Sequence, residues 1–144
     1  MSLNDEAYGD DEAVARILAD TTVWAVVGLS NNQSRAAYRV ARFLQAQGKR
    51  IVPVHPSAET VHGEQGYRTL ADVPFPVEVV DVFVNSSLAG AVADDALRVG
   101  ARAVWFQLGV VDEAAYDRVR ATGTAMVMDK CPVIEWPRLG PIAG

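Results

Sequence analysis

Short runs of apolar residues alternate along this chain with amphipathic segments, and this alternation restricts the fold more than any other feature. Such continuous apolar runs are typical of parallel strands that are buried on both faces. We predict five of them, at residues 23–27, 50–54, 77–84, 101–108 and 124–129. Strands that alternate with helices through short connections build a doubly wound sheet. The sequence therefore predicts the α/β class: a single Rossmann-like doubly wound domain with a five-stranded, mostly parallel sheet.

Four segments before and between these runs place apolar residues at helical spacing. We predict helices at residues 11–20, 33–47, 86–100 and 112–123. The second is expected to stop at Gly48, and the fourth to begin at the capping residue Asp112. The third is expected to bury one apolar face, made of Leu88, Val92, Ala96 and Val99.

All 144 residues are expected to form one domain, with residues 1–9 and 137–144 as flexible or peripheral ends. Residues 55–76 are rich in Gly and Pro and have no periodicity, so they are predicted to form a long loop with one short strand near Tyr67. Irregular stretches of this length are often functional. A proline-containing tail follows the last strand.

The distribution of charge points to a small anionic ligand. The formal net charge is −5, which argues against a nucleic-acid partner, because that partner requires a broad basic surface. Residues 21–58 nevertheless contain no Asp or Glu and carry five basic residues, which are Arg35, Arg39, Arg42, Lys49 and Arg50. A local cationic region in an acidic chain favours a small anion over a polymer.

The rest of the composition indicates a cytoplasmic protein without a membrane partner. No apolar run is long enough to span a bilayer, and no secretory signal opens the chain. The single cysteine, Cys131, excludes an internal disulfide framework. We expect Cys131 to pack semi-buried after the last strand, although a mixed disulfide with a thiol ligand is chemically open to it. The sequence is compatible with a homo-oligomer.

The loop after the first strand has the residue types of a phosphate site, although it lacks the G-x-G-x-x-G pattern. Gly28, its one glycine, lets a ligand approach the backbone. The short polar residues that follow suit capping and oxyanion binding; they are Ser30, Asn31, Asn32 and Ser34. We expect Arg35 in the first helical turn, within reach of a phosphate held at the helix N-terminus. Arg39 and Arg42 share its stripe and are expected to face solvent.

The second strand argues against several common nucleotide sites. A NAD site has an acidic residue at the end of this strand to hold the ribose hydroxyls, whereas this chain has His55 there. The chain also lacks a Walker A motif and the acidic pair of a response regulator. A phosphorylated nucleotide without an acidic ribose clamp fits better. A 3′-phosphorylated ribose is such a ligand, because a carboxylate there would repel it.

Five stretches occur in an order that resembles the small CoA-binding protein family. They are VVGLSNNQSRAAYRVARFLQAQGKRIVPVHP, GEQGYRTLADVP, VDVFVN, GARAVWFQLGVVDEAA and VMDKCPVIEW. The family's domain is similar to the CoA-binding domain of the succinyl-CoA synthetase α subunit. The resemblance covers residues 22–136 and implies a protein that binds CoA or an acyl-CoA through its phosphates and adenosine, without evident catalysis.

The resemblance also implies which residues contact the ligand. Those around the phosphates would be Gly28, Leu29, Ser30 and Arg35. Those along the adenosine half would be Pro53, Val54 and His55. The remaining edge would be lined by Val84, Asn85, Gln107 and Gly109, with the pantetheine arm running toward Gln107 and Cys131. Ser57 and Val84 stand where relatives often carry arginine, so two positive charges of the family pattern are absent.

Two other functions stay open at this point. One is an accessory module of an acyl-CoA ligase or transferase, which would require an ATP-binding partner chain. The other is an NAD-type redox nucleotide sensor, in which Cys131 would matter. We identify no catalytic residues and no metal site, since two histidines and one cysteine at these spacings do not form one. Asp81 interrupts an apolar run and is expected to cap a helix or to pair with an arginine in the crevice.

Overall fold

The computed structural model describes residues 8–141, and its centre is one sheet of five strands. The strands are β1 (Val23–Val27), β2 (Arg50–Val54), β3 (Val79–Val82), β4 (Ala103–Phe106) and β5 (Ala125–Val127). Their order is β2-β1-β3-β4-β5, and every neighbouring pair is parallel. The predicted fold class is confirmed, with a sheet that is entirely parallel.

Five helices cover the two faces of this sheet. They are α1 (Asp11–Asp20), α2 (Ala36–Ala46), α3 (Ser86–Arg98), α4 (Glu113–Ala121) and α5 (Pro132–Leu139). The buried residues of α1 and α2 share one hydrophobic cluster, against which α5 also packs, while those of α3 and α4 share the other. Both faces of each central strand are therefore buried, which explains the continuous apolar runs. None of the helices within residues 8–141 has both the length and the apolar character needed to cross a membrane.

Local side-chain chemistry sets the helix ends. Asp10 accepts a hydrogen bond from the Ala13 N–H at 2.8 Å and caps α1, and Asp112 caps α4 through the Ala115 N–H at 3.0 Å. Gly48 follows α2 with φ +91°, a left-handed conformation that favours glycine, as predicted. Helix α2 starts three residues later than predicted, because Asn32 first closes a tight turn.

The structure corrects two sequence-based predictions about helices. The predicted tail forms α5 instead, with Pro132 in its first turn, where a missing N–H costs nothing. Its Arg138 pairs with Asp11 of α1 at 2.7 Å. Helix α3 buries the small residues Ala89, Gly90, Ala93 and Ala96. Of the predicted face, Ala96 is buried and Val92 and Val99 pack half-buried against the core, whereas the prediction for Leu88 is wrong. Leu88 is 58% exposed, because close packing of α3 against its neighbours selects the side that carries alanine and glycine.

The chain ends were predicted to be flexible or peripheral, and residues 1–7 and 142–144 lie outside the described residues. The Tyr8 carbonyl accepts a hydrogen bond from the Met128 N–H at 2.9 Å, and the Tyr8 ring meets Tyr116 edge to face with centroids 5.9 Å apart. These contacts attach the segment before α1 to the α4 side of the sheet.

Candidate functional site

The strand order places a crevice at the carboxyl edge of the sheet. From β1 the chain continues into α2 on one face, and from β3 it continues into α3 on the opposite face. In a parallel sheet, ligands bind where the connections that follow two neighbouring strands run to opposite faces in this way. A cavity of about 830 Å³ opens there, lined by the loops that follow β1, β2, β3 and β4.

Gly28 forms the floor of this crevice and explains why the loop needs only one glycine. Its φ is +104°, and a Cβ atom built on it would lie 3.2 Å from the Phe83 Cβ. The Gly28 N–H donates to the Val54 carbonyl at 2.8 Å, so the β1 backbone runs close to both neighbouring strands as it turns. Any other residue here would combine an unfavourable backbone conformation with a steric contact.

The polar residues after Gly28 hold the loop in shape. The Ser30 hydroxyl accepts the Asn32 N–H at 3.2 Å, and the Asn32 side-chain oxygen accepts the Ser34 N–H at 3.1 Å. Arg35 occupies the N-cap position of α2 with an extended backbone, one residue before the helical turn in which it was predicted. No side chain caps α2, so the N–H groups of Ala36 and Ala37 in the crevice wall stay available to an anion.

The segment after β2 forms a second wall at His55. The His55 Nδ1 accepts the Ser57 backbone N–H at 3.1 Å. Because a backbone N–H can only donate, the proton of the neutral ring lies on Nε2, which makes that atom a donor. Glu59 accepts hydrogen bonds from Ser57 and from Asn31, which lower its pKa, and the bond from Asn31 ties this segment to the β1 loop.

Arg68 also lines the crevice, and the sequence analysis missed it. The Tyr67 N–H donates to the Pro53 carbonyl at 2.9 Å, and the His55 N–H donates to the Tyr67 carbonyl at 3.0 Å. These bonds form a parallel bridge between Val54 and Tyr67, which places the next residue, Arg68, beside the end of β2. The predicted short strand near Tyr67 was the signal that could have located it.

The loops after β3 and β4 complete the crevice. The Ser86 hydroxyl accepts the Val111 N–H at 2.9 Å and links the start of α3 to the β4 loop. The Gly109 N–H donates to Asp129 at 2.8 Å. Leu88 and Leu108, which are 58% and 57% exposed, form an apolar rim on this side. The side of the crevice at β1 and β2 is therefore polar and cationic, whereas the side at β3 and β4 has no charged residue among the described ones that line it and ends in an apolar rim.

Charge sets the crevice apart from the rest of the described surface. Among the described residues that line it, the ionisable side chains are Arg35, His55 and Arg68, and none is Asp or Glu. Within residues 8–141, four arginines have no acidic or aromatic partner, namely Arg35, Arg39, Arg42 and Arg68. The other seven have one. Two of the four unpaired arginines line the crevice.

The structure brings most of the predicted contact residues together at this crevice. Those that line it are Gly28, Ser30, Arg35, Val54, His55, Val84, Asn85, Gln107 and Gly109. Leu29 and Pro53 do not line it, because the side chain of Leu29 is buried against α2 and that of Pro53 lies within β2. Gln107 is 6% exposed, and its Oε1 has no hydrogen-bond partner among the described residues.

Two other residues singled out in the sequence lie away from the crevice wall. Asp81 is fully buried between Val26 and Trp105 in the sheet, and neither carboxyl oxygen has a partner within residues 8–141. The prediction that it caps a helix or pairs with an arginine is wrong, and burial raises its pKa well above the ordinary value. Cys131 is 8% exposed in the cluster under α2 and α5, as the packing prediction had it. No group of three metal-ligating side chains occurs in the described part of the chain.

Comparisons with known proteins agree with this geometry. A family model described as "CoA binding domain" matches residues 22–137. The uncharacterised protein YneT of Bacillus subtilis is 32% identical over 118 residues, which cover 82% of this chain and 87% of YneT. A hypothetical protein from Pyrococcus horikoshii is 31% identical, with a TM-score of 0.87 and 96% of each chain covered.

A larger protein contains the same fold. A dinucleotide-forming acetyl-coenzyme A synthetase from Ca. Korarchaeum cryptofilum matches 81% of this chain and 27% of its own length, at 23% identity and a TM-score of 0.66. This likeness concerns the fold alone. The family match over residues 22–137, together with the identity to YneT, establishes that this chain belongs to the CoA binding domain family.

Proposed function

We propose that this protein binds CoA or an acyl-CoA in the crevice at the carboxyl edge of its sheet, without catalysis of its own. The observation that carries the proposal is the charge of the crevice, where two unpaired arginines and a histidine occur without a carboxylate. CoA carries a diphosphate and a 3′-phosphate, so it supplies the anionic partners that these side chains do not find among the described lining residues. Membership of the CoA binding domain family supports the same ligand.

The diphosphate would lie at Gly28 and Ser30, where the backbone turns, with the N–H groups that open α2 pointing at it. Arg35 would add a charge-assisted hydrogen bond to a phosphate oxygen. The adenosine would lie along Val54 and His55. The pantetheine arm would then leave between Gln107 and the apolar rim formed by Leu88 and Leu108.

The two alternatives have less support from the crevice. A NAD-type sensor would hold ribose hydroxyls with a carboxylate at the end of β2, and His55 stands there instead. Cys131 packs in the core rather than in the crevice wall, which argues against a thiol sensor at this site. An accessory role in an acyl-CoA ligase is compatible with the same ligand, and recovery of a stable ATP-binding partner with the native protein would favour it.

The test is isothermal titration calorimetry with CoA, acetyl-CoA, ADP and NAD. We expect CoA and acetyl-CoA to bind at micromolar Kd or tighter, ADP more weakly, and NAD weakest. Arg35→Ala should weaken CoA binding by about 1–3 kcal/mol, the value of a hydrogen bond to a charged group. Arg39→Ala is the matched control, since Arg39 is exposed and unpaired on the same helix but does not line the crevice. Preferential binding of NAD, or no binding of CoA, would contradict the proposal.

A further inference from the structure

The crevice holds its two arginines on different walls, and this separation suggests two anionic groups in the ligand. Arg35 precedes α2, beyond β1, whereas Arg68 follows Tyr67 on the outer side of β2. Tyr67 therefore lies two strand spacings from β1, which is about 10 Å. Because a diphosphate bound as proposed on the β1 loop would meet the start of α2 and Arg35, Arg68 would be available for a second anion.

The backbone of Arg68 is held firmly although its side chain is exposed. Two hydrogen bonds, of 2.9 and 3.0 Å, fix Tyr67 to the β2 segment. The Tyr67 ring packs edge to face on Phe75 with centroids 6.4 Å apart, and Thr69 donates to Asp72 at 3.0 Å at the start of a short 3₁₀ helix, Leu70–Asp72. The backbone that carries the Arg68 side chain is therefore anchored on both sides, which reduces the backbone entropy lost when a ligand binds.

A second donor comes from His55, whose backbone N–H donates to the carbonyl of Tyr67, the residue before Arg68, at 3.0 Å. The His55 side chain also lines the crevice, and the Nε2 of the neutral ring carries the proton because Nδ1 accepts the Ser57 N–H. Ser57 and Val84, which stand where relatives often carry arginine, have no charge. Among the described residues outside the β1–α2 segment, Arg68 is therefore the arginine that lines the crevice. The end of β2 thus presents a guanidinium and an imidazole N–H where a NAD site presents a carboxylate.

We propose that Arg68, assisted by His55, recognises a phosphomonoester on the ribose of the bound nucleotide. The chain thereby distinguishes 3′-phosphorylated CoA from 3′-dephospho-CoA. The inference rests on the proposed function and adds to it a specificity residue that lies outside the β1 loop. A guanidinium suits this role, because it pairs with two phosphate oxygens at once.

The test compares the affinities of CoA and 3′-dephospho-CoA for four proteins: the wild type, Arg68→Ala, Arg35→Ala and Arg39→Ala. The wild type should prefer CoA by about tenfold or more, the value of one charge-assisted contact. Arg68→Ala should abolish this preference by weakening CoA alone. Arg35→Ala should weaken both ligands alike and keep the preference, and Arg39→Ala should leave both affinities near the wild-type values.

Arg68→Lys and thermal unfolding complete the design. Lysine keeps the charge and loses the paired geometry, so Arg68→Lys should retain part of the preference for CoA. All variants should unfold near the wild-type temperature, since Arg68 has no ion pair or hydrogen-bonded side chain among the described residues. Equal weakening of both ligands by Arg68→Ala, or a wild type without preference, would overturn the role of Arg68 alone. A wild type that binds neither ligand would overturn the proposed function as well.

Discussion

Charged side chains have different roles at the amino edge and at the carboxyl edge of the sheet, where the strands begin and end. At the amino edge, Glu78 accepts hydrogen bonds from the N–H groups of Thr22 and Val23 at 2.8 and 3.0 Å and from Arg102 at 2.9 Å. At the carboxyl edge, Arg35 and Arg68 line the crevice without such a partner in the described structure. Charges satisfied within the chain stabilise the fold, whereas charges left open beside a cavity are available to a ligand.

Lys49 is another charged side chain at the amino edge that has hydrogen-bond partners within the chain. Its Nζ donates to the Leu18 carbonyl at 2.6 Å and also to the Thr21 carbonyl, which satisfies backbone acceptors where α1 ends. Partial burial lowers the pKa of this amine. The side chain is thus used in holding α1 onto the sheet, although the sequence places it in the same basic segment as Arg35.

Glu78→Ala should have the largest effect on stability. The change leaves two backbone N–H groups without their acceptor and removes the partner of Arg102, so we expect a loss of about 2–3 kcal/mol in the free energy of unfolding. Chemical denaturation measures this loss. Arg102→Ala removes the ion pair and a 3.4 Å hydrogen bond to the Asp20 carbonyl but leaves the two backbone N–H groups with their acceptor, so it should cost less. A variant that kept its stability and lost CoA binding would break the distinction between the two edges.

The same variant has a predicted pH dependence. Hydrogen bonds, chiefly from the Val23 N–H, hold the pKa of Glu78 below its ordinary value of 4.5. A carboxyl whose pKa is lower in the folded state stabilises that state above its unfolded pKa. The stability difference between wild type and Glu78→Ala should therefore be full above pH 4.5 and should shrink as the pH falls through the folded-state pKa.

Asp81→Asn tests the buried carboxyl that lies between the two edges. Burial raises the pKa of Asp81 well above its ordinary value of 3.8, so the folded state binds a proton that the unfolded state has released. Wild-type stability should therefore decrease as the pH rises above 3.8. The nearly isosteric amide cannot titrate, so Asp81→Asn should gain stability relative to the wild type as the pH rises from 4 to 8, as chemical denaturation at the two pH values would show. A constant difference between pH 4 and pH 8 would contradict this.

Arg118→Ala should have the smallest effect and supplies the contrast to Arg35 and Arg68. Arg118 pairs with Asp94 at 3.3 Å on the exposed surface, away from the crevice. Exposed ion pairs contribute about 0.2–1 kcal/mol, so stability should fall by no more than that, and CoA affinity should stay unchanged. Weakened CoA binding would show that net charge rather than position governs the crevice.

Patterns within single segments allowed most of the fold to be predicted. The continuous apolar strands and the capping residue Asp112 act over a few residues, so the sheet, four helices and the family resemblance could be inferred from the chain alone. Helix α5 was missed because its eight residues contain two prolines, at positions 132 and 137. On α3 the position of Leu88 was mispredicted, because close packing there favours alanine and glycine over larger apolar residues.

The sequence by itself determined the fold class, the single glycine that turns the first loop, and the lack of a carboxylate after β2. These depend on neighbours in the chain. Only the tertiary structure decided that Arg68 reaches the crevice, that Asp81 is buried without a partner, and that Leu88 faces outward. Arg68 is 33 residues from Arg35 in the chain, and they share one crevice because Tyr67 pairs with Val54. The sequence predicted a short strand near Tyr67, but its pairing with Val54 depends on how the strands assemble.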